Sequence, residues 1–293
     1  MSFKRWVLSE LDKESAAQLA EECELHPFLA LLLTTRGISD PAEADAFLVG
    51  GEPGDDPFGF ADMVPAVERV QRALDTGERM AVFGDYDADG VTATALLYSY
   101  LRDRQADVLY RIPKREGEGE GYGLHRETVD WFAEQGVRLI ITVDNGIAAV
   151  EEVAYARSLG IDVVVTDHHQ PQEQLPEAAA VVNPHRADCG SEYKEYAGVG
   201  VAFKLASALE GDADAVLERY GDLIALGTLA DVMPLTGENR LLVREGLQQL
   251  AEGERPGLRA LVEVAGVSER TMTASTALFS LAPRLNAAGR MGE

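Results

Sequence analysis

Residues 79–97 read RMAVFGDYDADGVTATALL: an apolar run, three closely spaced aspartates, a glycine, and a helical stretch that continues to Arg102. A short apolar run that breaks into turn residues and then a helix is how a strand enters a βαβ unit. The pattern recurs. Arg138–Val143 (RLIITV) and Ile161–Thr166 (IDVVVT) are continuous Val/Ile runs, as expected of strands covered on both faces of a parallel sheet. Asp107–Ile112 and Ala178–Val182 read as further strands, and helical spacing fills Val64–Leu74, Glu127–Gln135 and Ala148–Leu159. Strands alternating with helices of roughly 10 to 12 residues predict an α/β fold, a mainly parallel sheet flanked by helices.

Helices are expected on either side of this block. Leu11–Arg36 has helical apolar spacing and is stopped by Gly37. Asp40-Pro41 then opens a second helix, Ala42–Leu48, with Asp as N-cap and Pro at the first helical position. GGEPGDDPFGF reads as a loop. Beyond the sheet, helices are expected at Val199–Glu210, Ala213–Tyr220, Asp222–Leu229, Arg240–Ala251 and Gly257–Ala265. The chain divides on this reading into an N-terminal helical extension (1–60), an α/β domain (61–235) and a helical C-terminal segment (236–293). The closing RLNAAGRMGE carries no helix stop and reads as a cut at a domain boundary.

The chain has 293 residues, 46% of them apolar, enough for a substantial core. No run approaches the roughly 18 to 20 apolar residues of a membrane span, and no apolar segment of signal-peptide kind opens the chain. Cys23 and Cys189 are too few and too scattered for a disulfide framework or a zinc motif, so free thiols in a reducing cytoplasm are expected. The net charge of −24 argues against non-specific coating of nucleic acid, which needs Lys and Arg, but leaves room for one local cleft that reads it. A salty host cytoplasm or simple solubility accounts for the acidity equally well.

The aspartates fall where a ligand would bind. In open parallel sheets the crevice lies beyond the carboxyl ends of the strands. Asp85, Asp87 and Asp89 follow the first run, Asp144 follows RLIITV, and Asp167, His168 and His169 follow IDVVVT. So many carboxylates together repel unless cations sit among them. Oxygen ligands with one imidazole suit Mn²⁺ or Mg²⁺ better than zinc. On an extended segment Asp85, Asp87 and Asp89 would share one face. The string also resembles the start of an EF-hand loop, but Leu96 stands where that loop needs a glutamate. TVDNG alone is ordinary turn chemistry. In TDHH, Asp167 can orient an imidazole, leaving one His for a metal and the other for a phosphate. Asp231, inside the apolar LIALGTLADVMPL, either caps a helix or binds a cation. Read together, the clusters point to a two-metal hydrolase, in which an activated water attacks phosphorus in line. Neither a G-x-S-x-G elbow nor a P-loop is present.

DYDADGVTATALL, TVDNGI, TDHHQP and GTLADVMPL resemble the four successive motifs of the DHH phosphoesterase superfamily. DPFGFADM, NPHRADC, YAGVGVAFKL and APRLNAAGRMG resemble its RecJ branch, the single-stranded-DNA-specific exonucleases. The resemblance covers nearly the whole chain. It implies a five-stranded catalytic domain with two Mn²⁺ or Mg²⁺ ions, releasing mononucleotides from single-stranded DNA in the 5′-to-3′ direction during repair and recombination. It implies Asp85, Asp87, Asp144, His168 and Asp231 as metal ligands, with Asp144 bridging both ions. His169 would contact the scissile phosphate, Asp89 and Asp167 would orient ligands, and Arg284 and Asn286 would reach substrate. A cytoplasmic location, and a helicase or single-strand-binding protein as partner, follow from it too. RecJ proteins continue into a DHH-associated domain and an oligonucleotide-binding fold, so this sequence is expected to stop at the catalytic core and to grip DNA weakly.

Two residue groups keep two readings each. Arg102, Arg104, Arg111, Lys114 and Arg115 either steer a phosphate backbone or form a solvated face balanced by Glu116, Glu118 and Glu120. Tyr122 either stacks on a base or packs down its glycine-rich loop. Competing functions are hydrolysis of very short RNA or of a cyclic dinucleotide, and a non-catalytic replication scaffold. The N-terminal extension and closing motif argue against the first pair, and the full set of expected ligands argues against the scaffold.

Overall fold

The computed structural model describes residues 10–50, 54–113, 121–267 and 272–288. Two compact units divide the chain, Met1–Pro53 and Gly54–Glu293. The first contains α1 (Lys13–Glu22), α2 (Pro27–Thr34) and α3 (Pro41–Val49) around Leu19, Ala30, Leu33, Ile38 and Ala44. The one helix expected over Leu11–Arg36 is two. Pro27 has no N–H with which to continue α1, and His26 caps α2 through Nδ1, which accepts from Phe28 N–H at 3.2 Å. The cap of α3 is as expected, with Asp40 accepting from the N–H groups of Ala42 and Glu43.

In the second unit β1 (Met80–Phe83), β2 (Val108–Arg111), β3 (Leu139–Val143), β4 (Asp162–Thr166) and β5 (Ala180–Val182) form one all-parallel sheet in the order β2-β1-β3-β4-β5. Alternating side chains feed two cores. Val82, Ile141, Val164 and Val182 face a cluster with α4 (Met63–Thr76), α5 (Ala88–Asp103), α8 (Gly198–Glu210) and α9 (Ala213–Ala230). Ala81, Phe83, Ile140, Val163 and Val165 face α6 (Arg126–Glu134) and α7 (Val150–Ser158). Truncating a fully buried strand residue such as Ile141 to Ala should cost about 2–5 kcal/mol. The chain leaves β1 for β2 on one side and returns to β3 on the other. The switch point between β1 and β3 is where such sheets open a ligand crevice.

Several boundaries differ from those the sequence suggests. The unit break falls at 53/54 and not at 60. Asp55 belongs with the sheet, accepting from Ser191 Oγ at 2.7 Å and from Tyr193 N–H at 2.9 Å. The helices beyond residue 236, α10 (Gly237–Glu252) and α11 (Pro256–Val264), share this unit. The two helices expected at 213–220 and 222–229 are the single α9. Gly221 is not a breaker there; α10 crosses so closely that a Cβ on Gly246 would strike the Gly221 carbonyl and come within 2.5 Å of Ala225 Cβ. The helical 236–293 segment also holds α12 (Ala274–Thr276), a π turn (Ala277–Leu281) and α13 (Ala282–Ala288), elements the local pattern does not mark individually. No described helix is long and apolar enough to cross a membrane, and both cysteines are free.

Candidate metal centre

The register of β1, β3 and β4 brings their carboxyl ends level: Phe83 lies beside Thr142, and Val143 beside Thr166. The next residues out are Asp85, Asp144 and Asp167. Asn145 ties two of these ends together, donating to the Phe83 carbonyl at 3.3 Å and the Val143 carbonyl at 2.9 Å. Asp144 itself adopts the left-handed conformation (φ 60°), and its N–H donates to the Thr166 carbonyl at 3.1 Å. Left-handed backbone at a non-glycine residue is strained and persists where the surroundings enforce it.

Helix α5 starts at Ala88, four residues earlier than the sequence suggests, so Asp85, Asp87 and Asp89 do not alternate along an extended segment. Asp87 is the N-cap and accepts from Gly90 N–H at 3.0 Å. Gly90 is obligatory, because a Cβ there would lie 2.6 Å from the Asp85 N and carbonyl O. Asp89 sits in the first turn and points at α8. Its Oδ2 accepts from Gly198 N–H at 2.6 Å and its Oδ1 from Val199 N–H at 2.9 Å. Helix α8 has Ala197 at its N-cap, which makes no side-chain cap bond, so the Asp89 oxygens supply the cap.

His168 is the hub. Its Nε2 lies 3.1 Å from Asp144 Oδ1, 3.7 Å from Asp231 Oδ2 and 3.9 Å from Asp89 Oδ2. Three overlapping groups have ligand atoms within 4.8 Å of one another: Asp85–Asp87–Asp144, Asp89–His168–Asp231 and Asp144–His168–His169. Asp231 occupies the C-cap of α9, at the negative end of the helix, and it is its backbone N–H, not its carboxylate, that bonds back to the helix. That leaves the cation reading of this residue the better supported.

The protonation pattern follows from burial and crowding. Burial, then the Asp89 and Asp87 charges, push the Asp144 carboxyl well above the usual carboxylate range. Burial and Asp231 push Asp89 up to about 8 despite its two N–H bonds. Burial and Asp87 raise Asp231. The imidazoles split. Burial and its neighbour His169 pull His168 down to about 4, so it is neutral and free to ligate. His169 is raised, chiefly by Asp167, whose Oδ1 lies 2.7 Å from Nδ1. Burial alone would raise Asp167, but its bonds to His169 and to the Ile147 N–H hold it low. Adjacent groups pushed in opposite directions are how a site assigns separate roles. Asp167 therefore orients His169 rather than the hub His168; to the latter it offers only a backbone bond.

A cation fits this set. Among the described residues no donor makes a hydrogen bond to the buried Asp144 Oδ1. An oxygen-rich, crowded, mostly buried cluster with a neutral imidazole matches hard divalent ions. Of the remaining expected residues, Arg284 is exposed and donates to the Ser280 carbonyl of its own helix. Asn286 does reach the first motif, but through backbone: its Oδ1 accepts from Ala88 N–H at 2.7 Å. Tyr122 is half exposed with its hydroxyl 3.4 Å from His169 Nδ1. Arg104 is spent on an ion pair with Glu210, Arg102 stacks on Tyr98 and Arg111 on Trp131. Lys114, Arg115 and Glu116 to Glu120 lie outside the described residues. Gly198 escaped the sequence reading: a Cβ there would collide with Asp144, 2.6 Å from Oδ1 and 2.7 Å from Cγ.

Residues 79–228, just over half the chain, match the family model described as DHH family, N-terminal domain. The chain belongs to the DHH family. Within the DHH family it is 42% identical over 289 residues to the single-stranded-DNA-specific exonuclease RecJ of Bacillus subtilis, covering 98% of this chain and 36% of that protein. It is 42% identical to RecJ of Escherichia coli over 284 residues, covering 92% of this chain and 48% of the relative. A crystal structure of RecJ from Thermus thermophilus in complex with Mn²⁺ superposes with a TM-score of 0.79 at 34% identity, covering 97% of this chain and 40% of that one. A second RecJ structure, bound to manganese, has a TM-score of 0.70 at 40% identity over 80% of this chain and 59% of the other. The chain thus spans less than half the length of these two curated relatives.

Proposed function

We propose that this chain is the catalytic portion of a metal-dependent phosphodiester hydrolase, a 5′-to-3′ exonuclease acting on single-stranded DNA in the cytoplasm. The buried carboxylate cluster around His168 carries this reading. Asp85, Asp87 and Asp144 would hold one Mn²⁺ or Mg²⁺, and Asp144, His168 and Asp231 a second. Asp144 and His168 each belong to two of the three ligand groups, and Asp144 would serve both ions. Bound ions would supply an activated water and neutralise charge at the phosphate. The protein's own part is distinct. Asp167 raises the His169 imidazole above its ordinary range and aims it, favouring the charged form as an electrostatic partner for the scissile phosphate. Asp89 holds the start of α8 against the cluster.

Repair and recombination, and a helicase or single-strand-binding protein as partner, belong to the same proposal and rest on the likeness to RecJ. The test is hydrolysis of 5′-labelled single-stranded oligonucleotides in Mn²⁺, Mg²⁺ or EDTA, with duplex DNA and RNA alongside. Mononucleotide release from the labelled end of single-stranded DNA, abolished by EDTA, is expected. Metal-independent cleavage, or none at all beside tight Mn²⁺ binding, would reject the reading.

A further inference from the structure

The first turn of α5 carries Asp87 and Asp89 on either side of Ala88. The leading N–H groups of a helix have no partner inside it. Asp87 takes that of Gly90. That of Ala88, a residue only 1% exposed, is taken by Asn286 Oδ1 at 2.7 Å, from 198 positions along the chain. Burial away from water makes such a donor expensive to leave unmade.

The π turn makes this reach possible. Ala277, Leu281 and Ala282 are buried at 0%, 0% and 2% exposure, and the closing helix packs on α9 and α5. Ala277 and Asn286 are nine residues apart. At about 100° per residue an unbroken α-helix would set them on opposite sides. The bond from Ala282 N–H to the Ala277 carbonyl spans five residues instead of four and stacks Ala282 beneath Ala277. Asn286, one α-helical turn further, then continues the buried face toward α5. One extra residue in the helix converts a solvent-facing side chain into a contact with the acidic turn.

We propose that Asn286 is a positioning residue of the metal centre: by holding the Ala88 N–H it fixes the turn that sets Asp85 and Asp87, and so ties the closing helix to metal binding. This rests on the metal-site reading above. It differs from the substrate contact implied by family resemblance, because the amide oxygen is already engaged with backbone.

Two measurements on the whole chain test it. Deuterium exchange at the Asp87–Gly90 amides of the metal-free protein reads the contact itself, and Mn²⁺ titration followed by electron paramagnetic resonance reads its consequence. Asn286→Ala should lose protection at those amides and bind Mn²⁺ about tenfold or more weakly, as loss of a group supporting a metal ligand does. Asn286→Asp retains an acceptor and should keep the protection, a separation that general unfolding would not produce. Unchanged exchange, or unchanged Mn²⁺ affinity, in Asn286→Ala beside a tightly binding wild type would overturn this inference alone. A wild type that binds no Mn²⁺ would overturn the metal-site reading and this inference with it.

Discussion

Gly198→Ala is the sharpest single-atom probe of the proposed centre. The added methyl would lie 2.6 Å from Asp144 Oδ1 and 2.7 Å from its Cγ. Carbon atoms in contact sit about 3.5–4.0 Å apart, so Asp144 or the start of α8 must yield by roughly 1 Å. Neither moves easily. Asp144 is fixed by its N–H bond to Thr166 and by a left-handed backbone, and α8 is pinned by Asp89 through Gly198 and Val199. Overpacking of this kind costs about 1–3 kcal/mol, which in a chain of this size lowers Tm by roughly 2–12 °C. The fold should survive. The site should not, because metal–ligand distances tolerate only about 0.2 Å and a 1 Å misplacement costs about 10²-fold in rate. The assay is Mn²⁺-dependent nucleotide release from single-stranded DNA, with a thermal melt on the same sample. Gly257→Ala, which meets nothing within 4 Å, is the control and should match wild type. Gly198→Ala cleaving at the wild-type rate would show that Asp144 is not held where the reaction needs it.

Asp89 is raised to about 8 in the fold against about 3.9 unfolded, so its neutral form is the one the fold favours. That contribution is complete below about pH 4 and lost as pH rises through 8; Tm of the EDTA-treated chain should fall between pH 5.5 and 8.5, and Mn²⁺ should flatten the curve. The raised Asp144 and Asp231 must shed protons to ligate, so calorimetry at pH 7 in buffers of different ionisation enthalpy should record proton release on Mn²⁺ binding; buffer-independent heats would contradict the assigned protonation. Asp167→Asn removes the partner that raises His169, and the imidazole NMR titration of His169 should move to lower pH, with hydrolysis impaired. With a net charge of −24, added KCl should raise the melting temperature by screening self-repulsion, and a flat salt response would argue that the acidic excess is already compensated.

The α/β core was legible because strands covered on both faces leave uninterrupted apolar runs, and MAVF, LIITV and VVVT are buried throughout. The gathering of acidic and imidazole groups was legible because carboxylates at strand ends have no packing purpose. Elsewhere local pattern gave way to tertiary contact. Gly221 looks like a helix breaker until Gly246 is seen pressed against it. Asp89 would share a face with Asp85 and Asp87 on an extended segment, but the early start of α5 turns it toward α8. The closing helix lacked the expected period because its π turn inserts a residue, and the pairing of Asn286 with Ala88 spans a separation no local window contains. Gly198 is one of 28 glycines, and only the position of Asp144 singles it out.

The two helices that close over the cluster explain why it needs cations even before substrate arrives. Asp89 faces the N-terminus of α8, where the helix dipole favours negative charge, and it is further supported by two N–H bonds. Asp231 faces the C-terminus of α9, where the same dipole opposes it, and it accepts no compensating cap. Burial and the Asp231 charge raise Asp89, burial and the Asp87 charge raise Asp231, and burial with Asp89 and Asp87 raises Asp144. A fold optimised for stability alone would replace Asp231 with a neutral residue at that helix end. Its presence, beside a neutral His168 and an Asp144 oxygen to which no described residue makes a hydrogen bond, makes the metal-free state the strained one. Asp231→Asn should therefore raise the melting temperature of the metal-free chain while lowering Mn²⁺ affinity. A variant that melts lower than wild type in EDTA would mean that Asp231 is structural and that the strain lies elsewhere.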